Sequence, residues 1–155
     1  MRKFAPFLFA GALAAAGATT AWAASQNHQA HLTGDAERPT PVDTNAQGQA
    51  TFKVADDGQS IEYKLNVSNL DAAFVAHIHL GSAEGTGPPV VFLYGPVDPA
   101  DANGRLASGT ITAADLVGPL AGQPLSALIE AIEAGNTYVN VHTSAHTGGE
   151  IRGQI

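Results

Sequence analysis

Apolar and polar residues alternate over much of the chain. Ile61, Tyr63, Leu65 and Val67 alternate with Glu62, Lys64, Asn66 and Ser68, and Ala50, Phe52 and Val54 alternate with Thr51 and Lys53. A period of two marks a strand with one buried face. Asp56-Asp57-Gly58 joins the two runs with a turn that tolerates positive φ, so residues 48–69 are predicted to form a hairpin. Further strands are predicted near 29–34, 73–80, 89–94, 104–111, 137–143 and 149–155, bounded by Gly, Pro, Asn and Asp. Two short helical pieces interrupt them. Thr112-Ala113-Ala114-Asp115 reads as a capping box opening one turn. From Pro124 to Ala134, Leu125, Leu128, Ile129 and Ile132 fall on one helical face, with Gly135 as the stop. The expected fold is all-β, an antiparallel sandwich or barrel with one or two short helices.

The N-terminus departs from this pattern. Arg2 and Lys3 precede an apolar, small-residue stretch from Phe4 to Ala18, and Ala21-Trp22-Ala23 supplies an A-x-A cleavage pattern. These are the three parts of a secretory signal. A membrane anchor needs roughly 20 continuous apolar residues, and Pro6, Gly11, Gly17, Thr19 and Thr20 break the run. The expectation is a signal peptide over 1–23, cleavage after Ala23, and one secreted or periplasmic domain over 24–155 with its core from about residue 29. No later stretch is apolar enough to span a bilayer. The segment Ala24 to Ala30 is polar and expected to be loose.

Removing the signal takes two of seven basic residues and none of fourteen acidic ones, so the formal charge moves from −7 to −9. Such a surface repels phosphate backbones and anionic lipid heads, which argues against nucleic acid and membranes as partners. The chain has no cysteine. Stability must come from packing, hydrogen bonds or a bound ion, and neither a thiolate nucleophile nor a thiolate metal site is available.

Histidine is the residue that suggests chemistry. In Ala76-His77-Ile78-His79-Leu80, alternation sends both histidines to one face and Ile78 to the other. Residues two apart on a strand lie roughly 6.5–7 Å apart, a gap that imidazoles can close on a shared ion. In Tyr138-Val139-Asn140-Val141-His142, the two valines share a face and His142 points away from it. His142 is therefore a candidate third ligand, and His146, in the following turn, a fourth candidate. Imidazoles without thiolates suit copper or zinc. A bound ion would be lost as the rings protonate near pH 6. Two other readings stand beside this one: the histidines hydrogen-bond the loop Gly81–Gly87, or they face solvent. His31, on a predicted strand, could also approach the cluster.

Other motifs carry less. Gly81–Gly87 lacks the phosphate-loop pattern, and Asp98–Gly104 lacks the spacing of a calcium loop. Asn66-Val67-Ser68 is a glycosylation sequon placed inside a strand. No nucleophile elbow is present, and no carboxylate pair has a spacing that points to acid–base work. Glu150 and Arg152 share a strand face and read as structural, pairing with each other or with loop carbonyls.

Several stretches, taken in order, resemble the CHRD (chordin) domain family. They are Leu32-Thr33-Gly34, Glu37-Arg38-Pro39, Gly48–Phe52, Ala76–Gly81 and Gly87–Val91, closed by Ala134–Thr143 and Gly149–Gln154. Thr147 stands where members of that family often have proline. The resemblance is to the single-domain exported type and implies an extracellular or periplasmic β-sandwich-like module. In animals the domain occurs in chordin, an antagonist of secreted growth factors, whose activity belongs to a multidomain protein and its own partners. Ala76–Gly81 is also locally similar to the copper-ligating strand of copper/zinc superoxide dismutases. The reading is an exported binding module for a copper or zinc ion or an extracytoplasmic protein partner. The alternatives are a copper redox or superoxide dismutase-like enzyme, and a structural or adhesive module whose histidines brace loops.

Overall fold

The computed structural model describes residues 27–155. The predicted signal peptide, residues 1–23, and its predicted cleavage site lie outside the described residues. Seven strands run in chain order: β1 (Asn27–Thr33), β2 (Gln47–Val54), β3 (Ile61–Leu80), β4 (Pro89–Tyr94), β5 (Ala100–Ile111), β6 (Thr137–Thr143) and β7 (Ile151–Gln154). One helix, α1 (Leu125–Glu133), and two 3-10 turns lie between β5 and β6. All pairings are antiparallel. The sheet order β2-β1-β7-β6-β3-β4 carries a further β2–β3 pairing that returns the sheet to β3 and closes it into a barrel.

β3 is the spine of the barrel. Its first half pairs with β2 and β5, its second half with β6 and β4. The sequence pattern had suggested two strands here, 61–68 and 73–80. One 20-residue strand spans both, because three irregularities between Val67 and Ala76 bend it without ending it. Core-facing positions run Ile61, Leu65, Val67, then Leu70, Ala73, Ala76 and Ile78, three residues apart rather than two at each irregularity. Asn69 (φ 54°) and Ala72 (φ 51°) take the left-handed conformation there, which side chains seldom adopt outside bulges. The three extra residues reverse the parity of the strand. Had the odd-numbered phase of Ile61–Val67 continued, His77 and His79 would point into the core; instead they face outward.

The core is aliphatic, with Leu32, Ile61, Leu65, Leu70, Ile78, Leu128, Val139, Val141 and Ile151 all inaccessible to solvent. Each such burial contributes about 1.5–3 kcal/mol. The predicted helix face is the buried one, Leu125, Leu128, Ile129 and Ile132. The helix ends in a Schellman motif: Gly135 (φ 65°) donates to Ile132 and Asn136 to Ala131. The capping box forms too, with Thr112 and Asp115 bonding reciprocally around a 3-10 turn. β1 starts at Asn27, so residues 27–30, expected to be loose, pair with 50–53 of β2.

Candidate metal centre

The outer wall of the barrel over β3, β6 and β7 is polar yet buried. Antiparallel register sets its rows: His77 lies opposite Asn140, which lies opposite Arg152, and His79 lies opposite Tyr138, which lies opposite Gln154. On the other faces of these strands, Ile78, Val139 and Val141 fill the core. The loop 34–46 covers part of the wall and brings Glu37, 3 % exposed, onto Asn140, whose Nδ2 donates to Glu37 Oε1 over 2.6 Å. The glycine-rich loop 81–88 covers another part and accepts hydrogen bonds from His79, Arg152 and Gln154.

His77, His79 and His142 converge on this wall, each offering a ring nitrogen within 4.8 Å of the others. His77 and His79 are buried and His142 is half-buried. Two of the rings have their tautomers fixed by backbone carbonyls, which can only accept. His79 Nδ1 donates to Gly87 O over 2.8 Å, and His142 Nδ1 donates to Thr147 O over 2.9 Å. Nε2 of each ring therefore carries the lone pair. His142 Nε2 faces His77 Nδ1 at 3.2 Å, while His79 Nε2 is buried with no hydrogen-bond partner. Outer hydrogen bonds of this kind orient metal-binding imidazoles in general.

The spacing fits a small cation. Two ligands held at 2.0–2.1 Å by a tetrahedral ion are about 3.3 Å apart, close to the 3.2 Å between His77 and His142. His79 offers its ring nitrogen within 4.8 Å of the other two. Burial keeps the rings neutral. His77 is pushed down to about 4 by burial and then by the neighbouring His142 and His79. His79 and His142 are lowered by burial, against the opposing effect of their carbonyl partners. All three rings therefore protonate below the ordinary imidazole value of 6.5.

The remaining candidates fall elsewhere. His146 sits in the turn after β6, where its backbone bonds Thr143 and Gly149; it is not among the three converging rings. His31 is exposed on β1, opposite Gln49. Glu150 and Arg152, read from the sequence as structural and as pairing with each other or with loop carbonyls, are 7 % and 2 % exposed, and it is a loop carbonyl that Arg152 takes. Glu150 accepts from Thr44 and Thr143, and Arg152 donates to Ser82 O. The Arg152 guanidinium also lies 3.5 Å over the Tyr138 ring, whose other neighbour is His79, near-parallel at 4.8 Å between centroids.

Three residues of this wall, Glu37, Asn140 and Tyr138, lie in the stretches that carry the family resemblance, but no spacing or periodicity assigned them a role. Each acts through a partner on a distant strand or loop.

The CHRD domain profile matches residues 28–155, the whole described barrel. The chain belongs to the CHRD domain family. No curated protein matches it, and no solved structure does. CHRD domains are extracellular interaction modules, and no described helix is long and apolar enough to cross a membrane. Within the CHRD stretch, the conspicuous blocks Ala76–Gly81 and Tyr138–Thr143 are the two strand segments that bear the three histidines.

Proposed function

We propose that this CHRD domain is an exported binding module that holds a copper or zinc ion through His77, His79 and His142. The observation that carries the reading is the paired anchoring of His79 and His142 on backbone carbonyls, which leaves Nε2 of each as its lone-pair nitrogen while ring nitrogens of all three histidines lie within 4.8 Å of one another. A buried lone pair without a donor, as at His79 Nε2, costs roughly 1–3 kcal/mol unless something binds it. Neutral imidazoles in an acidic, cysteine-free domain favour a borderline-soft divalent cation over calcium or magnesium. Sequestration or delivery of the ion is the matching role.

Titration of the metal-free protein with Cu(II) and Zn(II) tests this. One equivalent should bind, and His77→Ala and His142→Ala should each weaken binding 100-fold or more, whereas His146→Ala should change it less than threefold. Absence of uptake, or uptake unchanged in both of the first two variants, would rule the site out. Export rests on residues 1–23 and is tested by the mass of the protein recovered outside the cytoplasm, which should begin at Ala24.

A further inference from the structure

The outward face of β1, β2, β3 and β5 lies away from the histidine wall and has its own chemistry. Register stacks its side chains in rows across the strands. Asn27, Lys53 and Glu62 form one row and Gln29, Thr51 and Lys64 the next. Between them, the row His28–Phe52–Tyr63 contributes the floor of a groove of about 350 Å³. Farther along, His31, Gln49 and Asn66 form a row facing Gln47 and Ser68, with Gly48 and Val67 as the floor of a second groove of about 250 Å³. The two floors are four residues apart along each strand, roughly 13–14 Å. β5 extends the face, placing Arg105 opposite Asn66.

Charge sets this face apart. Residues 27–155 contain five cations and fourteen carboxylates. Arg152 is buried, and Arg38 lies 3.6 Å from Glu84. The other three cations, Lys53, Lys64 and Arg105, are all exposed here, with Glu62 as the one carboxylate among these rows. The face is thus net +2 on a chain whose remainder is −11. Among the described residues, none of these three cations has a carboxylate within 4.0 Å. Around them stand amides and hydroxyls, groups that donate to and accept from sugar hydroxyls with equal ease.

We propose that this face binds an acidic polysaccharide, a chain of sugars bearing carboxylates, laid along the strands across both grooves. The three cations meet the carboxylates, and Gln29, Gln47, Gln49 and Asn66 meet the hydroxyls. A polyphosphate such as DNA is disfavoured, because its denser charge must also approach the strongly acidic remainder. An exported protein meets polysaccharides of this kind at cell surfaces, so the face would locate the domain there. This inference is independent of the metal reading.

The test uses the full processed protein with EDTA present and polygalacturonate as the probe, with dextran and a 20-mer DNA duplex as comparators. Affinity electrophoresis at 20 mM salt should show retardation by polygalacturonate and none by dextran, and 200 mM salt should weaken binding at least tenfold. The triple variant Lys53→Gln/Lys64→Gln/Arg105→Gln should lose at least tenfold in affinity with an unchanged melting temperature. Glu62→Gln should bind two- to threefold more tightly, and His77→Ala should bind as the parent does. No retardation at 20 mM salt, full binding by the triple variant, or tighter binding to the duplex than to polygalacturonate would each overturn the proposal.

Discussion

Replacing Glu37 by Gln probes the buried wall that backs the histidines. Burial raises the Glu37 carboxyl from its ordinary 4.5 to about 7, against the lowering influence of Arg152 and Arg38. Its folded-state pKa lies above its unfolded one, so folding takes up a proton between those values. The native state gains most from this group below pH 4.5, and the gain is lost as pH rises from 4.5 to 7. A shift of 2.5 units corresponds to about 3.4 kcal/mol at most. Relaxation around the buried carboxyl and the nearby Arg152 and Arg38 reduce that to roughly 1–2 kcal/mol. Gln keeps the carbonyl that accepts from Asn140 Nδ2 and has no proton to lose. The variant's stability relative to the parent should therefore climb by about 1–2 kcal/mol between pH 4.5 and 7 and stay level above it, whatever its constant offset. In a domain of this size that is a relative rise in melting temperature of roughly 4–8 °C. Urea unfolding at half-unit pH steps measures the difference. A flat difference curve from pH 4 to 8 would refute a buried, protonated Glu37.

Other perturbations give equally direct readings. A Cβ on Gly149 would collide with Asn140 Nδ2, and φ there is +127°, so Gly149→Ala should cost 2 kcal/mol or more in urea unfolding. Adding Zn(II) at 100 times its dissociation constant should stabilise the parent by about 2.7 kcal/mol and leave the double variant His77→Ala/His142→Ala unmoved, read by thermal melting. Ile78→Ala removes a fully buried side chain between the two histidines and should cost about 2–5 kcal/mol by the same assay. Arg152→Gln removes the cation over Tyr138 and the bond to Ser82 O, and should raise amide exchange in the loop 81–88.

Much of the barrel was legible from the chain alone, because the information is local. The period-two runs of β2 and early β3 and the apolar face of α1 report which side of each segment is buried. The capping box of Thr112 and Asp115 and the stop at Gly135 lie within a few residues of the groups they satisfy. His77 and His79 share a face for the same reason, since alternation along a strand points side chains two apart the same way. What the alternation leaves undetermined is which face that is over a long, bulged strand. Only the three irregularities between Val67 and Ala76, fixed by pairing with β5 and β6, reverse the parity and turn the two rings outward. The meeting of His77 with His142, the seating of Glu37 on Asn140 and the stack of Arg152, Tyr138 and His79 join residues from 14 to 103 positions apart. No local periodicity encodes such contacts. They follow from the order in which strands close the barrel and from the burial that then leaves polar groups no partners except one another.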